Sequence, residues 1–277
     1  MKRACVIGWP VEHSRSPMIH RYWLKLYGIE GAYEKEAVPP EEASGFMRSL
    51  GEHGYVGANV TLPHKLIALE AADLKDEAAR AIGAANTLWL DADGRLNASN
   101  TDAYGFMTNL DGEAPSWNEG KRPVVVLGAG GAARAVLYGL IEAGAVKVLL
   151  ANRSRARADN LAAVFPPRVH VIDWEARNQA LAGCGLLVNT TSLGMSAQAP
   201  LTIDLGALPR EAVVADIVYS PLETGLLAAA RQRGNVAVDG LGMLLHQAVP
   251  GFERWFGVWP EVTPELKAHV AASLGAK

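Results

Sequence analysis

The sequence predicts an α/β fold of two domains built around largely parallel β-sheets. Short apolar runs bounded by glycine or proline alternate with segments of helical period along almost the whole chain, a pattern typical of parallel strands joined by helices. The chain of 277 residues exceeds the usual size of one domain. Residues 111–122 lack periodicity and collect glycine, proline and charge, so we predict a linker there.

The first half is predicted to contain three strands, a hairpin and five helices. The strands lie near residues 3–8, 31–38 and 55–61, and the helices lie near residues 17–28, 40–53, 64–72 and 76–83. Two short β runs within residues 87–99 flank Asp93-Gly94, a dipeptide typical of hairpin turns. Thr101 is the predicted N-cap of a helix that extends to about Leu110.

Beyond the linker, five apolar runs are predicted strands separated by helical segments, as in a doubly wound sheet. They are VVVLG (124–128), KVLLANR (147–153), VHVID (169–173), GLLVNTTS (185–192) and VVADIVY (213–219). Two helices with apolar stripes, residues 241–257 and 263–275, fall outside this alternation and are predicted to return to the first domain. The prediction is a discontinuous domain of residues 1–110 and 238–277 and a second domain of residues 111–237.

Composition and charge exclude several classes of protein. Hydrophobic residues make up 49% and charged residues 20% of the chain, as in ordinary globular domains. The net charge of −3, with both signs interspersed, provides no basic surface for nucleic acid. No stretch approaches the roughly 18 apolar residues of a membrane span, and the N-terminal MKRACVIGWP has too short an apolar run for a signal peptide.

The two cysteines and seven histidines do not indicate metal binding. Cys5 and Cys184 lie in apolar surroundings and are predicted to be small buried hydrophobic residues, as in a reducing cytosol. The histidines are scattered and have no ligand spacing to either cysteine. We therefore expect a cytoplasmic protein without a metal site.

A glycine-rich turn after the first strand of the second domain predicts a dinucleotide site. Gly128-x-Gly130-x-x-Ala133 follows a strand and opens a helix, and a further strand comes next. Glycines permit the tight turn and the close approach of a pyrophosphate to the helix N-terminus, as in Rossmann-type domains. The alternative is a glycine turn that serves only the packing of helix against strand.

The end of the next strand favours NADP over NAD. A site for NAD would carry an acidic residue there, whereas Asn152 and Arg153 occupy the place, with Arg157 four residues further on one helical face. Guanidinium groups suit a 2′-phosphate of about −1.5 to −2 charge. The alternative is a solvated helix start, which is also our interpretation of Arg155.

The stretch NVTLPHK follows a predicted strand and groups Asn59, Thr61 and Lys65 around Pro63, with no carboxylate nearby. Proline fixes its own φ and biases the preceding residue toward extended geometry, so the turn can direct Lys65 toward a ligand. The alternative is a solvated surface lysine without a function.

Other polar residues lie at predicted helix and strand starts. Ser14 and Ser16 precede Pro17, where they either cap a helix or bind the hydroxyls or carboxylate of a small polar ligand. Asn86 lies just before a predicted strand. Asp102 lies in a first helical turn, where a carboxylate also stabilises the helix electrostatically.

Taken together, these motifs resemble the shikimate dehydrogenase family, NADP-dependent enzymes that reduce 3-dehydroshikimate in the biosynthesis of aromatic amino acids. The motifs span residues 8–247 in the family's order: GxPVxHSxSPxIH, NVTxPHK, GAxNT, NTDxxG, GAGGAAR, NRS, NTTSxGM, DIVYxPxxT and GLGMLxxQ. Each motif alone is weak, but their joint occurrence is specific. One departure is Arg21, where the family often carries asparagine.

The resemblance implies roles for individual residues. Lys65 and Asp102 become the catalytic pair. The implied substrate contacts are Ser14, Ser16, Asn59, Thr61, Lys65, Asn86, Asp102, Tyr219 and Gln247. The implied cofactor contacts are Gly128, Ala129, Gly130, Gly131, Ala132, Asn152, Arg153, Arg157, Ile217 and Gly240, with Glu77 as a weaker candidate. His13 and His64 are neighbours of the site without a chemical role.

The chemistry of this family explains why a lysine is needed beside the turn. Oxidation of a secondary alcohol removes a hydride and a proton, so the protein must supply a proton acceptor within reach of the alcohol. In the reducing direction, the protonated lysine donates to the developing alkoxide, and Asp102 fixes its position.

Two alternatives to this function remain open. A sister enzyme could act on quinate or an aminated shikimate, with NADP or NAD. A non-catalytic sensor could reuse the fold, but it should lack Lys65 or Asp102 or carry an added basic module. The expected partner is a small-molecule substrate, without nucleic acid or membrane; the sequence does not determine the oligomeric state, and a homodimer is compatible with it.

Overall fold

The structure, a computed structural model, describes residues 1–275. Its contacts divide the chain into two compact units. The first unit contains Met1–Asp102 and Gln247–Val270, and the second contains Ala103–His246 and residues 271–275. The division falls after Asp102 and after His246, whereas the predicted boundaries follow residues 110 and 237. The assignment of substrate and cofactor to separate domains stays a prediction.

The first unit is built on a six-stranded sheet. Its strands are β1 (Lys2–Gly8), β2 (Gly31–Ala37), β3 (Gly57–Val60), β4 (Leu74–Lys75), β5 (Thr87–Leu90) and β6 (Leu96–Ser99). They lie in the order β2-β1-β3-β5-β6-β4. The pairs β1–β2, β1–β3 and β4–β6 are parallel, and β3–β5 and β5–β6 are antiparallel. The predicted hairpin is confirmed, and Gly94 adopts a positive φ of 77° in its turn.

Four helices alternate with these strands, as predicted: α1 (Ser16–Leu26), α2 (Pro40–Arg48), α3 (Lys65–Ala71) and α4 (Glu77–Ile82). The predicted helix over 40–53 ends early, at Arg48. One core forms where the side chains of α2 and α3 pack on the sheet, and it includes Ile7, Met47 and Leu88. The two-residue strand β4 was not predicted.

The second unit is a fully parallel sheet with helices on its faces. Its strands are β7 (Val124–Leu127), β8 (Val148–Ala151), β9 (Val169–Ile172), β10 (Leu186–Asn189), β11 (Val213–Asp216) and β12 (Ala237–Val238). Their order, β12-β11-β10-β7-β8-β9, reverses at β7, which is the doubly wound order of Rossmann-type domains. Both faces are covered by separate apolar clusters, as a parallel sheet requires.

The helices around this part of the chain are α5 (Asp102–Glu113), α6 (Gly131–Glu142), α7 (Arg155–Ala162), α8 (Gly225–Gln232) and α9 (Gly240–His246). The predicted helical spacers are wrong at two places. Two short 3₁₀ turns, Trp174–Arg177 and Gln179–Leu181, join β9 to β10, and turns and bends join β10 to β11.

The predicted linker is wrong in structure. Helix α5 continues to Glu113, and Trp117 is only 6% exposed within the core of the second unit. Its indole Nε1 donates to Asp111 Oδ1 at 2.8 Å. The polar composition of residues 111–122 hid one large apolar side chain, whose burial fastens the segment to the sheet.

The predicted helix over 241–257 is two helices. Helix α9 ends at His246, and α10 (Val249–Phe256) begins three residues later, before α11 (Pro264–Gly275). Pro250, in the first turn of α10, has no N–H to donate to the carbonyl of His246, so a continuous helix would lose that bond and clash. In the described residues, no helix has the length and apolar character needed to cross a membrane.

Candidate active site

The turn between β3 and α3 fixes the position of Lys65. The amide of His64 donates to the Thr61 carbonyl at 3.0 Å, and the amide of Trp9 donates to the Leu62 carbonyl at 3.1 Å. His64 is fully buried, and its Nε2 donates to the Val38 carbonyl at 2.7 Å. Lys65 is the first residue of α3. The turn is therefore held by three contacts that do not involve the lysine side chain.

Lys65 is paired with the carboxylate of Asp102. The Lys65 ammonium donates to Asp102 Oδ2, and the side chains are 27% and 12% exposed. Asp102 is the first residue of α5, and its amide donates to Asn100 Oδ1 at 3.0 Å. The structure thus brings together two residues 37 positions apart that the sequence analysis had paired only by resemblance.

Asn86 connects this ion pair to Gln247. Its Nδ2 donates to Asp102 Oδ1 at 2.8 Å and lies 3.3 Å from Gln247 Oε1. Its Oδ1 accepts from the amide of Thr101 at 2.8 Å and from the hydroxyl of Thr87 at 2.9 Å. The hydroxyl of Thr101 also donates to the Gln247 carbonyl at 2.7 Å. Asn86 is 2% exposed, so one amide orients the whole polar cluster.

Ser16 does not cap α1. The N-cap residue is Arg15, without a side-chain capping bond, and Ser16 is the first helical residue. The capping interpretation of Ser16 is therefore wrong. Ser14 Oγ accepts from the amide of Ser16 at 3.3 Å, and the side chain of Ser16 is hydrogen-bonded to that of Tyr33.

The side chains of Asn59 and Thr61 differ in burial, since Asn59 is buried and Thr61 is half-buried. Asn59 is 4% exposed, and its Oδ1 accepts from Tyr33 at 2.6 Å and from His20 Nε2 at 3.2 Å. Its Nδ2 donates to the Asn86 carbonyl at 3.3 Å. Thr61 is half-buried, and the bare Cα of Gly8 packs against it, since a Cβ there would lie 2.5 Å from Thr61 Cγ2.

Several members of this cluster were missed by sequence reasoning, namely His20, Tyr33, Thr87, Asn100 and Thr101. His20 lies four residues after Ser16 and therefore on the same face of α1. A second signal was available, because the motifs GxPVxHSxSPxIH, GAxNT and NTDxxG contain His20, Thr87, Asn100 and Thr101. Tyr33 lies in an interior position of β2 whose side chain is fully buried, so the strand pattern predicts a core residue there.

The glycine-rich turn of the second unit has the geometry that its motif predicts. Gly128 has φ = +105°, and a Cβ there would lie 2.7 Å from Thr190 Oγ1. Ala133, in the first turns of α6, is fully buried. Gly130 and Gly131 have open space where a Cβ would be, and Ala129 and Ala132 beside them are half-buried. Backbone amides at this helix start can therefore approach an anion.

The basic residues after β8 fall into two groups. Arg153 and Arg157 are exposed and have no hydrogen bond or ion pair within residues 1–275. Arg155 instead pairs with Asp159 at 3.0 Å and Asp173 at 2.7 Å, which confirms its interpretation as a surface residue. The shared helical face is wrong: α7 begins at Arg155, after an extended residue, so Arg153 precedes the helix. Asn152 donates to the Ser154 carbonyl at 2.9 Å.

The remaining predicted cofactor contacts lie near the end of β11. A Cβ on Gly240 would lie 2.2 Å from the Ile217 carbonyl oxygen, so only glycine permits this approach. Asp216 is buried, which raises the pKa of its carboxyl, and it accepts from the amide of Val218 at 3.1 Å. This bond holds the segment that carries Ile217 and the half-buried Tyr219.

Glu77 stands apart from these cofactor candidates. It is exposed in the first turn of α4 in the first unit. Within residues 1–275, no group of three histidine, cysteine, aspartate or glutamate side chains could hold a metal ion.

The fold and the site define a class of protein. One unit is of Rossmann type and carries a glycine turn and exposed arginines, and the other α/β unit carries a half-buried lysine–aspartate pair. These are the features of a dinucleotide-dependent oxidoreductase.

Comparison with known proteins identifies the family. Residues 6–88 match the family model of the shikimate dehydrogenase substrate binding domain, and residues 115–205 match that of shikimate / quinate 5-dehydrogenase. A shikimate dehydrogenase (NADP(+)) from Rhodopseudomonas palustris is 58% identical over 276 residues, covering 100% of this chain and 98% of that protein. The chain belongs to the shikimate dehydrogenase family.

Two solved structures show the same fold over nearly the full length. The shikimate 5-dehydrogenase of Thermus thermophilus, in complex with NADP(H) and shikimate, is 36% identical with a TM-score of 0.86, covering 99% of this chain and 100% of that one. The quinate dehydrogenase of Corynebacterium glutamicum, in complex with NAD, is 30% identical with a TM-score of 0.91, covering 98% and 99%.

Proposed function

We propose that this protein is an NADP-dependent shikimate dehydrogenase, which reversibly reduces 3-dehydroshikimate to shikimate. The observation that carries the proposal is the full-length similarity to curated enzymes of that name. The paired Lys65 and Asp102 supply the acid–base chemistry that this reaction needs.

Lys65 and Asp102 are the proposed acid–base pair. The bound cofactor supplies or accepts the hydride. In the reducing direction, the Lys65 ammonium donates a proton to the developing alkoxide, and in the oxidising direction its amine accepts the proton of the alcohol. Asp102 holds the lysine through Oδ2, while Asn86 holds Oδ1, so the direction of Nζ is set before substrate binds.

The proposed substrate contacts are the polar side chains that the family resemblance implies. They are Ser14, Ser16, Thr61, Lys65, Asn86, Asp102, Tyr219 and Gln247. Their hydroxyl, amide and charged groups match a small ring that carries hydroxyls and a carboxylate. Asn59 is also a proposed contact, and both of its amide atoms are hydrogen-bonded to neighbouring groups, as those of Asn86 are.

The proposed cofactor contacts lie mainly in the second unit. The backbone of Gly128, Ala129, Gly130, Gly131 and Ala132 would hold the pyrophosphate, and Asn152, Arg153 and Arg157 the 2′-phosphate. Ile217 and Gly240 would line the cofactor further along. Glu77 is the weakest candidate, since it is exposed in the first unit.

Steady-state rates with purified protein test this function. Shikimate and quinate are each assayed against NADP and NAD, and we expect kcat/KM to be highest for shikimate with NADP. The similarity to a quinate dehydrogenase in complex with NAD makes quinate with NAD the second candidate. A higher kcat/KM for that pair would replace the proposal, and no turnover with any pair would reject the dehydrogenase function.

We also propose a cytoplasmic location. Cys5 and Cys184 are both free and buried, as suits a reducing compartment. Burial raises the pKa of Cys184 to about 12, so its thiol is unreactive. A homodimer is compatible with the sequence, and sedimentation of the purified protein would establish the oligomeric state.

A further inference from the structure

Three buried side chains of the first unit meet at the amide oxygen of Asn59. His20 of α1, Tyr33 of β2 and Asn59 of β3 are 0%, 1% and 4% exposed. Tyr33 donates its hydroxyl proton to Asn59 Oδ1 at 2.6 Å, and His20 Nε2 lies 3.2 Å from the same oxygen. The rings of His20 and Tyr33 stack, with centroids 4.0 Å apart and planes at 10°.

The geometry fixes the tautomer of His20. A carboxamide oxygen only accepts hydrogen bonds, so Nε2 must carry the proton and Nδ1 a bare lone pair. The ring is enclosed by the aromatic side chains of Trp23, Phe252 and Trp255. This burial lowers the pKa of His20 to about 3, so the imidazole is neutral at physiological pH.

A histidine at position 20 is expected to lower the stability of the folded protein. Among residues 1–275, its buried Nδ1 has no hydrogen-bond partner, and a buried unpaired polar atom destabilises the folded state. An apolar side chain of similar size would fill the aromatic surroundings without that cost. The one polar contact that His20 gains is its bond to Asn59, which points to Asn59 as the reason for the histidine.

Two donors on one oxygen fix the orientation of the Asn59 amide. With Oδ1 occupied by His20 and Tyr33, Nδ2 points toward the Asn86 carbonyl at 3.3 Å and the Thr87 hydroxyl at 3.4 Å. A flipped amide would place its N–H groups against two donors. Asn59 therefore holds the start of β5, where Asn86 binds Asp102 and thereby orients Lys65.

We propose that His20 and Tyr33 are positioning residues of the dehydrogenase site, which lock Asn59 so that Asn59 holds Asn86 and, through it, the Asp102–Lys65 pair. Neither side chain touches the substrate in this proposal. The proposal rests on the proposed function, because its main readout is turnover of shikimate.

Three matched variants test the donor role. His20→Leu removes the donor and keeps the volume, His20→Gln keeps an amide N–H near the position of Nε2, and Tyr33→Phe removes one hydroxyl and keeps the stacked ring. We expect kcat/KM for shikimate to fall about 5–20-fold in His20→Leu and Tyr33→Phe, and to stay within about twofold of wild type in His20→Gln. The KM for NADP should not change in any of them.

Thermal unfolding of the same samples separates positioning from packing. Equal losses of kcat/KM in His20→Leu and His20→Gln, or a lowered Tm with unchanged kinetics in all three, would mean that these residues only fill the core. If His20→Leu does not fold, Tyr33→Phe in wild-type and Asn59→Ala backgrounds decides, because Tyr33→Phe also removes a hydrogen-bond partner of Ser16.

A double variant tests the route through Asn59. In an Asn59→Ala background, Tyr33→Phe should change kcat/KM by less than about twofold, because residues that act through one partner are not additive. A loss that multiplies in full would contradict the proposed route.

Inactive wild-type protein would reject the proposed function without deciding the hydrogen bonds. For that case, ¹⁵N NMR of the His20 ring gives a readout that needs no substrate. We expect the neutral Nε2–H tautomer in wild type and a mixture of tautomers in Asn59→Ala. The same tautomer population in both proteins would overturn the proposed contact.

Discussion

The two units present their proposed ligand groups in opposite ways. In the first unit, Lys65, Asn86 and Asp102 are hydrogen-bonded to one another and mostly buried. In the second unit, Arg153 and Arg157 are exposed without a partner among the described residues. The proposed ligand groups of the first unit are already hydrogen-bonded to one another, whereas those of the second unit include exposed charged side chains.

The difference matches the two tasks. Proton transfer needs groups held in a fixed geometry, and hydrogen bonds formed before the substrate binds provide that geometry. Recognition of a phosphate needs charge at the right place, and an arginine gains its partner only on binding. Truncation in the first unit should therefore leave buried partners unpaired, whereas truncation in the second should remove one contact with the ligand.

The largest expected effect is on the acid–base pair. Lys65→Ala should lower kcat by about 10²–10⁴-fold with little change in the Kd for shikimate, because it removes the proton donor but few binding contacts. Stopped-flow and steady-state rates with NADP measure this. Lys147→Ala, which removes an exposed lysine outside the site, should behave as wild type. More than about a third of wild-type kcat in Lys65→Ala would exclude this lysine from the mechanism.

The next effect concerns the unpaired arginine. Arg153→Ala should raise the KM for NADP by about 10–150-fold and leave the KM for NAD nearly unchanged, since a charge-assisted bond to the 2′-phosphate is lost. Arg155→Ala is the matched control, because that arginine is already paired with Asp159 and Asp173. Equal losses with both cofactors in Arg153→Ala would assign the arginine to the fold.

In the glycine turn, we expect Gly128 to be needed for folding and Gly130 for binding of the cofactor. Gly128→Ala should lower the free energy of unfolding by about 1–3 kcal/mol, since φ = +105° and the nearby Thr190 leave no room for a Cβ. Gly130→Ala, with open space and φ = −95°, should keep the Tm and raise the KM for NADP. Thermal unfolding and steady-state rates of the two variants check this, and a lower Tm in Gly130→Ala would contradict it.

The pH dependence of stability from His20 is a separate effect, which grows as the pH falls. Its pKa is about 3 in the folded protein and about 6.5 in an unfolded chain, so the unfolded state binds the proton first as the pH falls. The free energy of unfolding should therefore fall by up to about 1.4 kcal/mol per pH unit between about pH 6 and 3 from this group alone. Urea unfolding of wild type and His20→Gln shows it as a difference in slope, and parallel curves would contradict the buried neutral state.

Local patterns predicted the elements whose residues carry their own geometry. The hairpin around Asp93-Gly94 is confirmed because glycine adopts the positive φ of the turn. Predictions differed from the structure where a single residue changed the burial or the helical structure of a segment. Trp117 turned a polar linker into part of a core, and Pro250 divided an apolar-striped segment into two helices.

The sequence by itself determined the glycine turn, the strand–helix alternation and the candidate arginines, because each depends on residues close together in the chain. Asp159 lies four residues after Arg155 in α7, so that ion pair is local, whereas Asp173 reaches Arg155 only in the folded unit. Within residues 1–275, these carboxylates pair Arg155 and leave Arg153 without an ion pair. The contact of His20 with Asn59, 39 positions away, was also decided only by the tertiary structure. A buried hydrogen bond has a larger effect on the folded state than an exposed one. His20 and Asn59 become buried together only when α1, β2 and β3 pack against one another.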